Sequence, residues 1–275
     1  MNTDETFAFR TTAMDGVMLV EASSDRSFVR HTHDQFGIGL MISGAQESLS
    51  GRGQLQACAG DLITVNPGEV HDGRPVGGSM RLWWMLYCDP EQVADIAAAL
   101  DRPRGMELHH PVLMRPDVAT NFAWLFAQLR DPGSAVGSVA LETALLSIFA
   151  PLLNVRESEK VGSPAAVRDV KAAIDEEPEN PLSLDEMSLL AGLGRYQFLR
   201  AFKRATGLPP CSYRLQRQLQ LARRLILAGR PIAEAAAHAG FADQAHMTRH
   251  FARSYGVRPG ALAVNQKSAG GASIS

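Results

Sequence analysis

The stretch AGLGRYQFLRAFKRATGLPP at residues 191–210 returns as AGFADQAHMTRHFARSYGVRP at residues 239–259. The Ala-Gly pair recurs 48 positions on, and after one inserted residue an arginine, a phenylalanine, a glycine and a proline each recur 49 positions on. Such agreement at a nearly fixed offset indicates an internal duplication. The C-terminal half therefore contains two copies of one structural unit.

Each copy predicts a short helix, a sharp turn and a second helix. In the first copy Ser183 and Glu186 form a capping box, and Gly192 stands where a helix ends in a left-handed residue. In the second copy Pro231 begins the short helix and Gly240 ends it. The residues expected on the buried faces are Leu184, Met187, Leu190, Ala191, Phe198, Ala201, Phe202 and Ala205, and in the second copy Ile232, Ala235, Ala236, Ala239, Met247 and Phe251. A helix, a glycine turn and a helix with a basic outer face is the helix-turn-helix arrangement.

A connecting helix is predicted over residues 213–226, which read YRLQRQLQLARRLI and join the two copies. Its apolar stripe consists of Leu215, Leu219, Ala222 and Ile226. The opposite face is expected to carry Arg217, Gln220 and Arg224. These arginines have two interpretations, contact with DNA phosphates or a solvated basic helix surface, and the sequence leaves both open.

Charge is distributed unevenly along the chain. Residues 1–159 hold 11 Lys and Arg against 20 Asp and Glu, net −9, whereas residues 160–275 hold 16 against 9, net +7. From residue 190 onward there are 13 basic residues against only Glu234 and Asp243, net +11. A basic segment of this size indicates that the C-terminal half binds a polyanion, with nucleic acid as the first candidate.

Residues 167–263 resemble the DNA-binding domain of the AraC/XylS family of bacterial transcription regulators, in which one long helix joins two helix-turn-helix units. The agreement is strongest over FLRAFKRATGLPPCSYRLQRQLQLARRLI and PIAEAAAHAGFADQAHMTRHFARSYGVRPGAL. The resemblance implies that the second helix of each unit enters a major groove of double-stranded DNA. It places base contacts on Tyr196, Gln197, Arg200, Gln244, His246 and Arg249. Helical periodicity also turns Lys203 and Arg253 outward, and these two residues, with Arg217 and Arg224 of the connecting helix, are expected to make further DNA contacts. The alternative for each of these residues is a solvated helix surface. Ala245 departs from the family, because some relatives have a polar base-reading residue there, so the operator sequence does not follow.

The N-terminal half has a different pattern. Apolar or β-rich runs at residues 17–20, 38–42, 62–65 and 82–87 are separated by Gly, Asp, Ser and Pro, which predicts a small all-β barrel or sandwich. Within it stand His31 and His33, whose side chains project to the same side of a strand. The motif GDLITVNPGEVH follows and ends in His71, which joins them if that side faces the interior.

This pattern resembles the cupin fold and the sensor domain attached to many AraC-type regulators. Cupins carry a glutamate a few residues after the H-x-H pair, whereas this chain has Phe36, Gly37, Ile38 and Gly39 there. A metal would therefore rest on three imidazoles alone, which is chemistry open to zinc or iron.

The histidines have three interpretations: polar groups of an effector pocket, packing residues, or metal ligands. We favour the pocket and expect no cofactor. The predicted effector site consists of His31, His33, Glu47, His71 and Trp83, with Arg81 as a further candidate. Strand parity alone does not decide which face of residues 81–88 points inward.

After the barrel, helices are predicted over residues 91–100, 118–129 and 139–153. The last helix is apolar nearly all round, through Leu141, Leu145, Leu146, Ile148, Phe149, Leu152 and Leu153. Such a helix must be covered on more than one side. A packed core and a homodimer interface both explain it, and the family resemblance implies pairing through a helix after the barrel.

The predicted fold is α+β with two domains, a cupin-like β-barrel with trailing helices and an all-α domain with two helix-turn-helix units. An effector-sensing and dimerisation domain is expected over residues 1–155, a linker over 156–166, the DNA-binding domain over 167–266 and a flexible tail over 267–275. No run reaches the roughly 20 apolar residues that cross a bilayer, and the N-terminus lacks the pattern of a secretory signal. We therefore expect a cytoplasmic protein without membrane contact.

The predicted function is sequence-specific transcription regulation of the AraC type, controlled by a small molecule in the barrel and without enzymatic activity. The expected partners are a double-stranded DNA operator, the effector, a second copy of the chain, and RNA polymerase if the protein is an activator. One alternative is a cupin metalloenzyme with an appended nucleic-acid-binding domain, which the missing glutamate and the duplication oppose. Another is a nonspecific architectural or RNA-binding protein, which the equivalent positions of Arg200 and Arg249 oppose.

Overall fold

The structure is a computed structural model that describes residues 5–155 and 165–262. These residues form two compact units, which we call the N-terminal domain (5–155) and the C-terminal domain (165–262). Strands dominate the first domain and helices make up the second, which confirms the predicted α+β class. The predicted tail at 267–275, and all but the last two residues of the predicted linker at 156–166, lie outside the described residues.

Two antiparallel sheets form the N-terminal domain. The strands that the structure describes are β1 (Thr6–Thr11), β2 (Val17–Ser24), β3 (Phe28–His31), β4 (Phe36–Ser43), β5 (Ala45–Ser50), β6 (Gly53–Cys58), β7 (Leu62–Val65), β8 (His71–Pro75), β9 (Arg81–Cys88), β10 (Met106–Leu108), β11 (Val112–Leu113) and β12 (Leu153–Val155). The large sheet has the order β1-β2-β9-β4-β7-β11 and the small sheet the order β3-β8-β5-β6, while β10 pairs separately with β12. The four strands predicted from the sequence are β2, β4, β7 and β9. They include the most buried strands, whereas β1, β5 and β6 are largely half-buried or exposed and lack long apolar runs.

The large sheet packs on both faces, and β9 shows how its side chains divide. Trp84, Leu86 and Cys88 belong to the core with the helices, whereas Trp83 and Met85 face the small sheet, as the alternation of side chains along a strand requires. We call the apolar cluster between the two sheets the inter-sheet core. Its buried members are Met18, Val20, Ala22, Met41, Ala57, Trp83 and Met85.

Helices cover the other face of the large sheet, and those described in this domain are α1 (Pro90–Ala99), α2 (Pro116–Arg130) and α3 (Ser138–Phe149). The Trp84 ring stacks on Phe126 of α2 with centroids 4.8 Å apart. The sequence predicts all three helices, but α3 is shorter than expected because the chain turns after Phe149 and Leu153 begins β12. The most apolar side of α3 is buried in this core through Leu145, Ile148 and Phe149. No helix in the described residues, α3 included, is long and apolar enough to cross a membrane.

The C-terminal domain is helical, and the helices that the structure describes are α4 (Ala165–Glu176), α5 (Leu184–Leu190), α6 (Arg195–Thr206), α7 (Pro210–Leu227), α8 (Ile232–His238) and α9 (Gln244–Tyr255). The two predicted helix-turn-helix units are α5 with α6 and α8 with α9, and α7 joins them. Both bonds of the predicted capping box are present, because Ser183 Oγ accepts from the Glu186 amide at 3.2 Å and Glu186 Oε2 accepts from the Ser183 amide at 2.7 Å. Gly192 and Gly240 follow the short helices with φ of 60° and 76°, which glycine adopts without steric cost.

The connecting helix α7 packs against α4, α6, α8 and α9. Part of its side opposite the apolar stripe is buried as well, and the expectation that Gln220 lies outward is wrong because only 1% of it is exposed. Other polar side chains of α7 bond within the domain: Gln216 donates to Ser254 Oγ at 3.3 Å, and Gln218 donates to the Gly240 carbonyl at 3.2 Å. The four neighbouring helices therefore cover most of the polar residues of α7, although Arg224 in its last turn is exposed.

Leu190 corrects a second expectation. Periodicity places it on the buried face of α5, but 59% of it is exposed. Ser188 is buried instead, and its hydroxyl donates to the Leu184 carbonyl at 2.7 Å. A helix of seven residues is too short for apolar spacing to determine which side faces the core.

Candidate functional site

The helices α6 and α9 expose equivalent faces. The buried side of α6 carries Phe198 and Phe202, and that of α9 carries Met247 and Phe251. The candidate DNA contacts lie on the opposite sides, where the exposed residues are Tyr196, Gln197, Arg200, Lys203, Gln244, Arg249 and Arg253, with His246 half-buried. In the last turn of α7, Arg224 is exposed as well. We call the outer sides of α6 and α9 the DNA-facing surface.

This surface keeps most of its positive charge. The ion pairs described between residues 165 and 262 engage Lys171, Arg195, Arg217 and Arg230. Of these, only Arg195, at the start of α6, lies on α6 or α9, so Arg200, Lys203, Arg249 and Arg253 are not neutralised by them. Burial lowers the pKa of His250 on α9, and nearby His246 and arginines lower it further, so this histidine is neutral at pH 7. The Asp243 carboxylate accepts from the His246 amide at 2.6 Å and thereby caps α9.

Arg217 has a partner inside the domain. Its Nε lies 2.9 Å from Asp175 Oδ1, and its guanidinium donates to Gln220 Oε1 at 2.6 Å. Asp175 also accepts from the Tyr213 hydroxyl at 2.7 Å and from Lys171 Nζ at 2.6 Å, which ties α4 to α7. Burial raises the pKa of Tyr213, and the bond to Asp175 raises it further, so the hydroxyl remains a donor. The sequence predicts a DNA contact at Arg217, whereas the structure places its side chain in a network inside the domain.

In the N-terminal domain, His31, His33 and His71 form a cluster. His31 ends β3 and His71 begins β8, and the two residues are directly paired across these antiparallel strands. The ring centroids lie 4.5 Å apart for His31 and His71, 4.9 Å for His31 and His33, and 5.2 Å for His33 and His71. One nitrogen of each ring lies within 4.8 Å of the others. The structure thus brings together the three histidines that the sequence singled out.

Backbone carbonyls orient two of these imidazoles. His31 Nδ1 lies 2.7 Å from the Val29 carbonyl oxygen, and His71 Nδ1 lies 3.1 Å from that of Glu69. Because a carbonyl oxygen only accepts, each Nδ1 carries the proton and each Nε2 keeps a lone pair. Burial lowers the pKa of His31 to about 3, with neighbouring His71 as a further cause, and burial also lowers the pKa of His71. Both rings are therefore neutral acceptors at pH 7.

Aromatic rings connect the histidine cluster to the inter-sheet core. The Phe28 ring lies 6.5 Å from His31 and 6.1 Å from Trp83. The guanidinium carbon of Arg81 lies 4.9 Å from the Trp83 ring. Tyr87 lies 5.0 Å from His33 on the same side. The sequence pattern does not single out Phe28 or Tyr87, although Tyr87 alternates along β9 with the same parity as Arg81 and Trp83.

Glu47 is not part of this space. It faces Arg74 across β5 and β8 with the two charged groups 2.9 Å apart, and both side chains are partly exposed. The preceding residue, Gln46, points the other way and accepts from Arg81 Nε at 2.9 Å. Because side chains alternate along β5, Gln46 faces the interior between the sheets and Glu47 faces the outer surface.

The histidine cluster also fits a metal ion held by three nitrogen ligands. At Gly39, one of the four positions where this chain lacks the glutamate of the cupin pattern, a side chain has no room, because a Cβ there would lie 2.8 Å from the Trp84 carbonyl oxygen and would collide with Met85 Sδ. A metal here would be held by His31, His33 and His71 alone and would offer a Lewis acid to an oxygen atom of a ligand. Without a metal, the same Nε2 lone pairs accept hydrogen bonds from a ligand.

A β-sheet domain with a polar cluster inside it and a helical domain with two matched basic helices together define a transcription regulator with separate ligand-binding and DNA-binding domains. The N-terminal domain matches the family model of the AraC-like ligand binding domain over residues 16–149, and residues 187–263 match a helix-turn-helix domain. The chain belongs to the AraC family of transcription regulators. These regulators are not enzymes, which removes the metalloenzyme alternative.

The relatives agree with this assignment, and a solved structure agrees with the fold. The chain is 26% identical over 249 residues to the uncharacterized HTH-type transcriptional regulator YbfI of Bacillus subtilis, covering 86% of this chain and 89% of YbfI. It is 33% identical over 87 residues to the probable transcriptional regulator LumQ of Photobacterium leiognathi, covering 31% of this chain and 35% of LumQ. Its fold resembles wild-type ToxT of Vibrio cholerae bound to an unsaturated fatty acid, with a TM-score of 0.60 and 10% identity over 91% of this chain and 95% of ToxT.

Proposed function

We propose that this regulator recognises a specific DNA operator through α6 and α9, under the control of a small molecule held between the two sheets of its N-terminal domain. The observation that carries the proposal is the equivalence of Arg200 and Arg249. Each arginine is exposed on its helix two residues before a fully buried phenylalanine, Phe202 or Phe251. Two copies of one unit therefore present the same basic position to successive stretches of a duplex.

Side-chain chemistry indicates how the surface distinguishes bases. An arginine pairs bidentately with guanine, and Gln197 and Gln244 have the amide that pairs with adenine. Tyr196 is 82% exposed, which leaves its ring available to a partner rather than to the core. Lys203, Arg224 and Arg253 are exposed cations suited to phosphates, which position a protein without reading sequence. An architectural protein would not need the ordered base-reading residues.

The proposed effector site is the space lined by the histidine cluster and the aromatic rings of the inter-sheet core. Neutral Nε2 acceptors on His31 and His71 beside the rings of Phe28 and Trp83 suit a ligand with an apolar body and a few polar atoms. ToxT, which shares the fold, binds an unsaturated fatty acid. For control, the effector must bind one DNA-binding arrangement more tightly than another.

We further propose that the regulator acts as a homodimer in the cytoplasm and contacts RNA polymerase if it activates transcription. Apolar side chains remain exposed on the helical face of the N-terminal domain, with 42% of Trp124 on α2 and 74% of Val139 on α3 in solvent. An isologous contact between two copies would cover them. A dimer would then carry two DNA-binding domains, each with two helix-turn-helix units, and would bind an operator that consists of two repeated half-sites.

The DNA-binding proposal is tested with the Arg249→Ala variant of the full chain. Genome-wide mapping of bound sites first supplies the operator, and fluorescence anisotropy then compares operator with random duplex of equal length. We expect Arg249→Ala to weaken operator binding by about 1 to 3 kcal/mol and random binding hardly at all. Arg104→Ala, which removes an exposed arginine from the N-terminal domain, is the charge-matched control. Equal losses on both duplexes would show that Arg249 contacts only phosphate.

A further inference from the structure

Arg81 is a fully buried arginine with unused donors. None of its surface is exposed, and it begins β9 at the edge of the inter-sheet core. Its Nε donates to Gln46, and its guanidinium carbon lies 4.9 Å from the Trp83 ring and 5.6 Å from the Phe28 ring. Both terminal nitrogens are buried and have no hydrogen-bond acceptor among the described residues. A guanidinium has five N–H donors, so most of its hydrogen-bonding capacity is left over.

Nearby carboxylates do not supply the missing partner. Glu47 pairs with Arg74 at 2.9 Å, and Glu5 pairs with Arg26 at 2.7 Å. The charge of Asp25 raises the pKa of Arg81, but the Asp25 side chain is exposed and no hydrogen bond joins the two residues. Burial lowers the pKa of Arg81 to about 10, so the group is still a cation at neutral pH.

An unpaired buried cation is unfavourable, because removing a charge from water costs several kcal/mol that only an opposite charge or good hydrogen bonds repay. Proteins retain an unpaired buried charge at sites where a bound ligand supplies the missing opposite charge or hydrogen bonds. Arginine's planar fork matches a carboxylate, which accepts two parallel N–H bonds. The two terminal nitrogens of Arg81 present this arrangement beside aromatic rings, and the Phe28 ring links them to His31.

We propose that Arg81 binds the carboxylate of the effector, which is therefore a small organic acid with an apolar or aromatic body. The carboxylate takes the unused nitrogens of Arg81, the body lies against Phe28 and Trp83, and further polar atoms donate to the neutral histidines. This inference rests on the proposed effector site and assigns the chemical class of the ligand. One guanidinium balances one negative charge, which favours a monocarboxylate over a phosphate dianion.

The test compares the full-length protein with its Arg81→Met, Arg81→Lys and Arg74→Met variants by thermal unfolding. The three tryptophans, Trp83, Trp84 and Trp124, all lie in the N-terminal domain, so their fluorescence reports on that domain. The probes are acetate and benzoate, each compared with its uncharged isostere, acetamide or benzamide, at constant ionic strength. Arg74→Met is the matched control, since it removes an exposed arginine from the same sheet pair.

Without a probe, we expect Arg81→Met to melt at or above the temperature of the unaltered protein, because it removes an unpaired charge. With benzoate or acetate, the unaltered protein and Arg74→Met should gain stability, Arg81→Lys should gain less, and Arg81→Met should gain nothing. The amides should stabilise the unaltered protein and Arg74→Met less than the acids do.

Two results would overturn the inference. Arg81→Met melting well below the unaltered protein without a probe would show that the guanidinium is already satisfied in the fold. Equal responses of all four proteins to the acids, or no response at all, would show that Arg81 does not bind a carboxylate. If the amides stabilise every variant equally, the interior binds small molecules and only the acid assignment fails. Failure of the proposed function would instead appear as operator affinity that no ligand of the interior changes.

Discussion

Gly240→Ala should destabilise the C-terminal domain far more than Gly192→Ala, although both glycines end the first helix of a helix-turn-helix unit. Both residues have a left-handed backbone, with φ of 76° at Gly240 and 60° at Gly192. A Cβ at Gly240 would lie 2.7 Å from the Glu179 carbonyl oxygen and 2.9 Å from Gln218 Nε2, whereas a Cβ at Gly192 meets nothing within 4 Å. The pair therefore separates steric collision from backbone strain.

The expected magnitudes follow from these distances. A Cβ in the left-handed region costs about 1 to 2 kcal/mol, and the loss of chain entropy in the unfolded state returns about 0.4 to 1 kcal/mol. The net cost at Gly192 is therefore about 1 kcal/mol. At Gly240 the collision with fixed backbone adds about 1 to 3 kcal/mol, for a total of about 2 to 4 kcal/mol.

Urea denaturation of the full chain measures both variants. Far-UV circular dichroism follows the helices, most of which lie in the C-terminal domain, while tryptophan fluorescence follows only the N-terminal domain. We expect the helical transition to shift for Gly240→Ala and the fluorescence transition to stay in place. Equal shifts for the two variants, or a larger shift for Gly192→Ala, would refute the assignment of Gly240 to a close backbone contact.

Three further predictions concern stability. Ser183→Ala removes the capping box of α5 and should cost about 1 kcal/mol in the helical transition; an unchanged midpoint would contradict a role for the cap. Tyr213→Phe leaves the ring in place but removes its bond to Asp175, and it should cost about 1 kcal/mol by the same measurement, with a neutral result indicating that the α4–α7 network does not depend on the hydroxyl. Burial lowers the pKa of His31 from 6.5 to about 3, so between these pH values the unfolded chain binds more protons than the folded one. The N-terminal domain should therefore lose stability as pH falls below 6.5, with a slope of up to about 1.4 kcal/mol per pH unit. His31→Gln should flatten the profile obtained from fluorescence at a series of pH values, and an unaltered slope would assign the acid sensitivity elsewhere.

Most of the C-terminal domain follows from its sequence because local chemistry determines it. The capping box at Ser183 and the left-handed residues at Gly192 and Gly240 need only neighbouring backbone, so short-range patterns suffice to predict them. Arg217 and Gln220 required the tertiary structure, because other helices cover the side of α7 on which they lie. Amphipathic spacing predicts a helix with one fully solvent-exposed side, whereas on α7 only part of that side, including Arg224, is exposed.

The candidate ligand site was less accessible from sequence. The H-x-H spacing predicts His31 and His33 on one strand with their side chains on the same side, but β3 ends at His31 and His33 lies beyond it. The approach of His31 to His71 depends on the pairing of β3 with β8. Alternation along a strand gives two faces without saying which is inside, so Glu47 was assigned to the interior that Gln46 occupies. Alternate residues of β9 contact the helical core and the inter-sheet core. Only this division shows that Arg81, Trp83 and Tyr87 lie on the side of β9 that faces the small sheet.

The glycines of β4 have a consequence for the range of compounds that this domain can accept. Gly37 and Gly39 of β4 have no side chains, and Met85 packs over them. Its Cε and Sδ occupy the space that Cβ atoms at these two positions would need. Methionine has three rotatable bonds and no branch, so it changes shape by torsion alone. In the proposed effector site, a side chain at position 85 that adjusts by rotation would adapt the space between the sheets to ligands of different shape, and substituting Met85 would change which molecules fit there.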